Sequence, residues 1–333
     1  MTAARTRRVT CTEARAETQG LDRSTKTPMR MTAFAIAALA TIGAAPRDWQ
    51  GPVAPPAADL ELAVTRFFET AEQYFRTFRN LTVEETRVNE EFNDIGRVKR
   101  RRETVADLLV YRPARSGDSG ATEYRDVRLV DGKEVAQRGK RALDLITRAT
   151  TSASLEEEFR LIDRESRRYD FNRSVGGFTI SQLPRVTMRK DFRFTWVGPA
   201  RLNGHDVIEL EYREVVPRAQ YGIERVYKGM GITSYIERGH LWLDATTYQL
   251  RRSRWEITGT HEALPGPVVL VSSESSYVES RFGILVPARI VFEWQENVKS
   301  RTRPVFARAA RMTFTYGAFR QFGVATDETI ATP

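Results

Sequence analysis

Three histidines, His205, His240 and His261, and one cysteine, Cys11, are the side chains best suited to acid–base, nucleophilic or metal chemistry near neutral pH. Their spacing offers little to work with. No pair stands at H-x-x-x-H or H-E-x-x-H, the patterns that put two ligands on one helical face. His205 follows Asn203-Gly204, a turn signature, and all three are expected at the surface. No G-x-S-x-G elbow supports a serine nucleophile. The Gly176-Gly177 pair in Ser174-Val175-Gly176-Gly177-Phe178 has neither a lysine nor a helical pattern after it, so it reads as a plain turn rather than a phosphate loop. Glu84/Glu85 and Glu209/Glu211 could be proposed as acid–base pairs. Glu209 and Glu211, however, alternate with Ile208, Leu210 and Tyr212, which puts them on the wet side of a strand. The reading is a protein that is not an enzyme, with no cofactor and no metal.

The apolar residues are better organised than the reactive ones. Rings alternate with polar side chains in Phe192-Arg193-Phe194-Thr195-Trp196, and the same period recurs in Ile290-Val291-Phe292-Glu293-Trp294 and Met312-Thr313-Phe314-Thr315-Tyr316. A strand points successive side chains to opposite faces, so each segment builds one apolar and one polar surface. Antiparallel sheets use that asymmetry. Before them, Leu60, Ala63, Phe67, Ala71, Tyr74, Phe75 and Phe78 recur at three-four spacing, which predicts an amphipathic helix from Asp59, as N-cap, to about Asn80. That helix either packs on the sheet as plain core or lies over a ligand as a lid.

Between these landmarks, Leu81–Phe92 and Thr104–Arg112 read as strands, Tyr124–Leu129 and Glu134-Val135 flank an Asp131-Gly132 hairpin turn, and Arg138 to Tyr169 carries a helical pattern. Strands resume at Phe178. Leu202-Asn203-Gly204 makes a corner between Phe192–Val197 and Val207–Tyr212, and Gly239–Leu243 pairs with Tyr248–Ile257. Val268–Phe282, Leu285–Trp294 and Ala309–Tyr316 complete the run. The expected fold is α+β: a curved antiparallel half-barrel of about nine or ten strands, with helices on its concave face. Trp242 and Trp255 sit among neighbours that leave their facing open.

The first 45 residues differ in kind. Met29-Arg30-Met31 precedes an apolar stretch, Thr32 to Gly43, ending in Ala44-Ala45, the form of a secretory signal peptide. Residues 1–28 read as an upstream extension or a mis-assigned start, 29–45 as the signal peptide, 46–58 as a Pro/Ala-rich linker, and 59–333 as a single domain. Cys11 precedes the apolar core, so it is no lipidation site, and the mature chain has no cysteine for a disulfide or thiolate. The whole chain carries +9; residues 1–45 hold seven Lys/Arg and three Asp/Glu, so the remainder is about +5. That mild bias gives no case for nucleic acid. Arg97, Lys99, Arg100, Arg101 and Arg102 form the densest basic run, read as a charged edge strand or as a contact for anionic lipid headgroups or an acidic partner.

Gly239-His240-Leu241-Trp242-Leu243-Asp244, followed by Tyr248-Gln249-Leu250 and then by Gly283-Ile284-Leu285-Val286-Pro287-Ala288-Arg289-Ile290, resembles the outer-membrane lipoprotein-sorting (LolA-like) superfamily. The resemblance spans roughly residues 59–323. It implies a half-open barrel with a helical lid that carries acyl chains or lipid-modified cargo through the periplasm without covalent chemistry. On this reading the cavity is lined by Phe67, Tyr74, Phe75, Phe78, Phe192, Phe194, Trp196, Ile208, Leu210, Tyr212, Ile290, Phe292, Trp294 and Phe314. The partners are lipid or acylated cargo; the alternative is an envelope sensor or scaffold that binds a protein partner. The mature protein is expected to be soluble and periplasmic or secreted. N-terminal sequencing of the protein recovered from cell fractions should begin within a few residues of Ala45; cytoplasmic protein that retains residues 1–45 would overturn that expectation.

Overall fold

The computed structural model describes residues 57–77, 81–111, 122–136, 164, 168–169, 186–215, 230–298 and 304–321. All fall within the compact unit Gln50–Pro333. The leader and most of the linker, Phe78, the Ser174–Phe178 turn and, but for three isolated positions, the helical pattern between Arg138 and Tyr169 lie outside them.

One helix and twelve strands make up the described fold. Helix α1 spans Ala57–Thr77. It begins two residues before Asp59, so Asp59 is not the N-cap; it sits in the first turn, where a carboxylate faces the positive end of the helix dipole. Strands follow at β1 (Leu81–Phe92), β2 (Val98–Tyr111), β3 (Thr122–Val130) and β4 (Lys133–Glu134). A short 3₁₀ helix, Val186–Asp191, leads into β5 (Phe192–Leu202) and β6 (His205–Glu214). The remainder are β7 (Ile232–Asp244), β8 (Leu250–His261), β9 (Val268–Glu279), β10 (Leu285–Val298), β11 (Val305–Tyr316) and β12 (Arg320–Gln321).

All pairings are antiparallel, in the order β4-β3-β2-β1-β11-β10-β9-β8-β7-β6-β5, with β12 on the end of β1. From β5 to β11 the chain is an unbroken meander. β11 then returns to β1, from which β2, β3 and β4 run outward. The sheet does not close, and it forms a half-barrel of α+β class. Register shifts in seven of the strand pairs, among them Trp196/Gly198, Pro287/Arg289 and Trp294/Gln295, mark bulges, which bend a strand and add local twist. Two hairpins are tight for a local reason. Asp131-Gly132 and Asn203-Gly204 both hold positive φ (50° and 77°, 51° and 86°), the mirror-image turn that matches strand twist.

Register places one row of side chains on the concave face. Trp196 pairs with Leu210, Leu210 with Leu241 and Leu241 with Ser253; Ser253 then meets Ser275, Ser275 meets Ile290, and Ile290 meets Phe314. Helix α1 lies against this face. Its Ala63, Val64, Phe67 and Phe68 pack with Phe192, Leu210, Tyr212, Leu241, Leu243 and Leu250. One turn further on, Tyr74 and Phe75 pack with Leu81, Leu108, Ile290, Phe292 and Phe314. A third cluster of Ile232, Ile257, Leu270 and Val271 receives Trp294. The aromatic stripe therefore lies inward, and Val64 and Phe68 widen it beyond the residues its spacing singled out.

Phe292 is 4% exposed and meets Trp255 and Phe314 edge-on at 6.0 and 6.1 Å. Phe292→Ala should destabilise the protein by about 3–5 kcal/mol in denaturant unfolding, the range for a buried ring. A loss within about 0.5 kcal/mol, typical of surface positions, would contradict its place in the core.

Candidate functional site

The concave face is not uniformly apolar; it changes character along the sheet. At the β5–β7 end it is aromatic. Phe192 meets Tyr212 at 5.3 Å and Phe68 of α1 meets Phe194 at 5.9 Å, both edge to face. Tyr212 lies over Gly239, where an added Cβ would come within 2.8 Å of its ring and 2.4 Å of a neighbouring carbonyl oxygen. Glycine at this position of the Gly239–Asp244 motif is thus a matter of space. The Tyr212 hydroxyl donates to Glu237 Oε1 at 2.9 Å. Burial, with the Glu237 and Glu214 charges, keeps that phenol well above its ordinary pKa.

At the β1–β3 end the same face is charged. Leu81 and Val83 of β1 continue through Glu85, Arg87 and Asn89, all buried. Arg125 of β3 donates from Nε and Nη2 to the two Glu85 oxygens at 2.7 and 3.0 Å, and from Nη2 to Glu123 at 2.9 Å. Burial alone would lower the Arg125 pKa, but Glu85 and Glu123 reverse this and hold it above its usual value, so the guanidinium stays charged. Glu84 and Glu85 therefore do not act together. Glu84 is exposed and pairs with Arg128, whereas Glu85 points inward to Arg125. Tyr74 of α1 lies within reach of this network, its pKa raised first by burial and then by Tyr277, Glu123 and Tyr316.

Between the two ends, β8 and β9 present hydroxyls: Ser253, Ser273 and Ser275 are buried. Tyr277, on the same row, lines a cavity of about 20 Å³ beneath the middle of α1 with Phe67, Thr70, Ala71, Tyr74, Gln249, Leu250 and Leu285. That is room for about one water molecule.

Of the sequence-predicted cavity residues, Phe67, Phe192, Leu210 and Tyr212 form one buried cluster, with half-buried Phe194, Trp196 and Ile208 against it. Tyr74, Phe75, Ile290, Phe292 and Phe314 form a second. Trp294 packs in the third, and Phe78 lies outside the described residues. The set is thus divided among three clusters, with Trp255 packed against all three. Trp242 faces the other way, under the Arg252 guanidinium at 4.9 Å and stacked on His240. His240 Nδ1 is 2.9 Å from Glu209, and His261 Nδ1 accepts the Ala263 amide at 3.1 Å. Both are half-buried in structural contacts, and His205 is exposed at its hairpin.

The basic run keeps its edge position. Residues 98–103 pair with β1 alone, because β3 joins β2 only from Thr104. Arg100 is 3.7 Å from Glu91 and Arg101 2.7 Å from Glu103, while Arg97 and Lys99 are exposed. Among the described residues no three His, Cys, Asp or Glu side chains are grouped to hold a metal ion, and no helix is long and apolar enough to cross a membrane.

Sequence reasoning missed the Arg125 network and the serine row. The signal was present: in β1 the inward parity Leu81, Val83 runs on to Glu85, Arg87 and Asn89, and in β9 the inward positions are Ser273 and Ser275. Polar residues on an apolar parity mark buried polar groups that alternation alone does not separate from a wet face.

No family model matches the chain, and no curated protein matches it. Solved structures similar to it include a DUF1329 family protein from Desulfovibrio piger, 12% identical, covering 80% of this chain and 95% of that one, with a TM-score of 0.33. A LolA superfamily protein from Nitrosomonas europaea is 10% identical over 78% of this chain and 94% of its own, with a TM-score of 0.29. A proposed outer membrane lipoprotein-sorting protein domain from Vibrio parahaemolyticus is 11% identical over 80% and 96%, with a TM-score of 0.28. The resemblance read from the sequence has its counterpart among these similar structures, at scores too low to carry an argument.

The resembling motif ends in a residue with a clear physical task. Asp244 Oδ1 accepts the Thr246 and Thr247 amides at 3.1 and 2.9 Å and the Thr247 hydroxyl at 3.1 Å; Oδ2 accepts Arg251 Nε at 2.7 Å. Burial pushes its carboxyl pKa up, but the Thr247 amide, Arg251, the Thr246 amide and the Thr247 hydroxyl together hold it below the ordinary value. A depressed carboxyl stabilises the fold above its unfolded pKa and loses that contribution as pH falls through the folded one. Asp244→Asn should therefore be less stable by about 1–2 kcal/mol at pH 7, and the gap to the parent should narrow as pH is lowered through the acid range. A gap in unfolding free energy that is constant with pH would contradict this role.

Proposed function

We propose that this protein carries a lipophilic ligand, an acyl chain or lipid-modified cargo, on the concave face that α1 covers, and that it does so in the periplasm or outside the cell. The observation that carries the reading is the nature of that cover. Helix α1 meets the face through Ala63, Val64, Phe67, Phe68, Ala71, Tyr74 and Phe75, while its polar ties to the rest of the fold include Thr70 Oγ1 donating to the Tyr248 carbonyl at 3.2 Å and Glu61 with Arg189. A helix held by an apolar stripe occupies the site an acyl chain would take. Each buried methylene contributes about 0.8 kcal/mol, so a chain of a dozen carbons can compete with such a stripe after the cost of association. Ligand entry then requires α1 to shift, because its apolar stripe already covers the face the chain would occupy.

The close packing of α1 on the sheet also favours a second reading, a scaffold in which α1 is permanent core and a protein partner binds outside. One experiment separates the two. A fluorescent fatty-acid probe should bind, lipid should be extractable from freshly purified protein and visible by native mass spectrometry, and probe binding should speed amide exchange across Ala57–Thr77 by about tenfold or more. No extractable lipid and no displaceable probe would sink the carrier reading and leave the scaffold.

A further inference from the structure

We propose that the hydroxyl row on the inner faces of β8 and β9 is a polar subsite for the ligand, selecting a neutral, carbonyl-bearing acyl lipid over a bare hydrocarbon or a free carboxylate. This inference rests on the carrier reading above.

The row is placed by register. Ser253 of β8 stands opposite Ser275 of β9, and Ser273 stands between Trp255 of β8 and Phe292 of β10. Burying hydroxyls at the centre of an apolar face is unfavourable unless they are hydrogen-bonded. Ser275 and Ser253 have the Tyr277 hydroxyl as a polar neighbour, close enough to offset part of the rise that burial imposes on its pKa. Ser273 is 3% exposed, and its Oγ has no hydrogen-bond partner among the described residues. A core under selection for packing alone would carry alanine or valine there. The unmade bond is one that a ligand can supply.

Tyr277 carries the row to the cavity under α1, where Thr70, Tyr74 and Gln249 add further polar groups. Gln249 is already engaged, donating from Nε2 to the Gly283 carbonyl at 3.2 Å and accepting the Leu285 amide at 2.6 Å, so it braces the wall. The lining contains no lysine, arginine or histidine. A carboxylate brought here would lose its hydration with no opposite charge to offset the loss, whereas an ester or amide carbonyl needs only a hydroxyl donor. Apolar clusters on both sides of the row give the chain its surface.

The test is displacement of a neutral pyrene-alkane probe from the full-length protein by methyl laurate, dodecane and laurate. Methyl laurate should act at about fivefold lower concentration than either of the others, the effect of about 1 kcal/mol from one added hydrogen bond. Tyr277→Phe combined with Ser275→Ala should bring methyl laurate to within about twofold of dodecane and leave dodecane unchanged. Ser273→Ala, the milder change, should narrow the gap without altering the thermal unfolding midpoint. Equal potency of methyl laurate and dodecane on the parent protein, a preference for laurate, or a gap that survives all three substitutions would overturn the subsite while leaving the carrier reading intact. Failure of all three ligands to displace the probe, or of the probe to bind, would overturn both.

Discussion

An open antiparallel sheet with an apolar inner face has to cover that face, and here the cover is a single helix. The constraint runs from β5 to β1. Side-chain parity is kept through these eight strands in path order, so aromatic residues of β5 and β6 and of β10 and β11 converge on one concave surface. Helix α1 answers it with Phe68 against Phe194 near one edge and Phe75 among Leu108 and Phe314 beyond the middle. Neither half of the sheet could bury its rings alone. The bulges that bend the strands are what let a helix of 21 residues touch both.

Into that apolar surface the fold inserts the Arg125–Glu85–Glu123 network. Its contribution to stability is small or adverse relative to a hydrophobic replacement, because desolvating three charges offsets most of their attraction. Its contribution to uniqueness is larger. Glu85 and Arg125 can meet only if β1, β2 and β3 hold the register observed, and a slip of one residue in β3 would turn Arg125 and Glu123 outward and strand Glu85 in the core. Breaking one member costs more than the network yields, which makes it a pin for the sheet's β1–β3 end. Tyr74 lies close enough to feel Glu123, so the C-terminal half of α1 is docked beside that pin and its N-terminal half on the aromatic end.

The sheet was legible in the sequence because period-two alternation is a local signal. β1 has the bounds its alternation predicted, and both primed turns fall on Asp131-Gly132 and Asn203-Gly204, where the residues themselves tolerate positive φ. Strand ends were less legible: β7 begins at Ile232 rather than Gly239, and β10 runs to Val298, because backbone pairing continues past the last ring. The facing of Trp242 and Trp255 needed the register, since parity within one strand does not say which face is concave. The site was legible only as a set of apolar residues. Its division into three clusters, and the polar groups between them, depend on which strands become neighbours, and β11 beside β1 is a pairing of residues more than 200 positions apart.

The three characters of the inner face, charged at β1–β3, hydroxyl-bearing at β8–β9 and aromatic at β5–β7, set how α1 can leave. The buried stripe of its N-terminal half packs on rings and leucines, contacts that are non-directional and that a hydrocarbon replaces at little cost. Its C-terminal half faces Tyr277 and the surroundings of Glu123, where departure exposes polar groups that hydrocarbon does not satisfy. The helix is thus held by interchangeable contacts at one end and by specific ones at the other, and β1 follows it in the chain within four residues. On the proposed carrier reading, rotation about the C-terminal end, with the Phe67–Phe68 half lifting first, breaks fewer specific contacts than lifting the whole helix. A ligand entering from the β5–β7 side would meet the hydroxyl row before it reached the ionic network, which is the order in which a hydrocarbon tail and a neutral polar group are best accommodated.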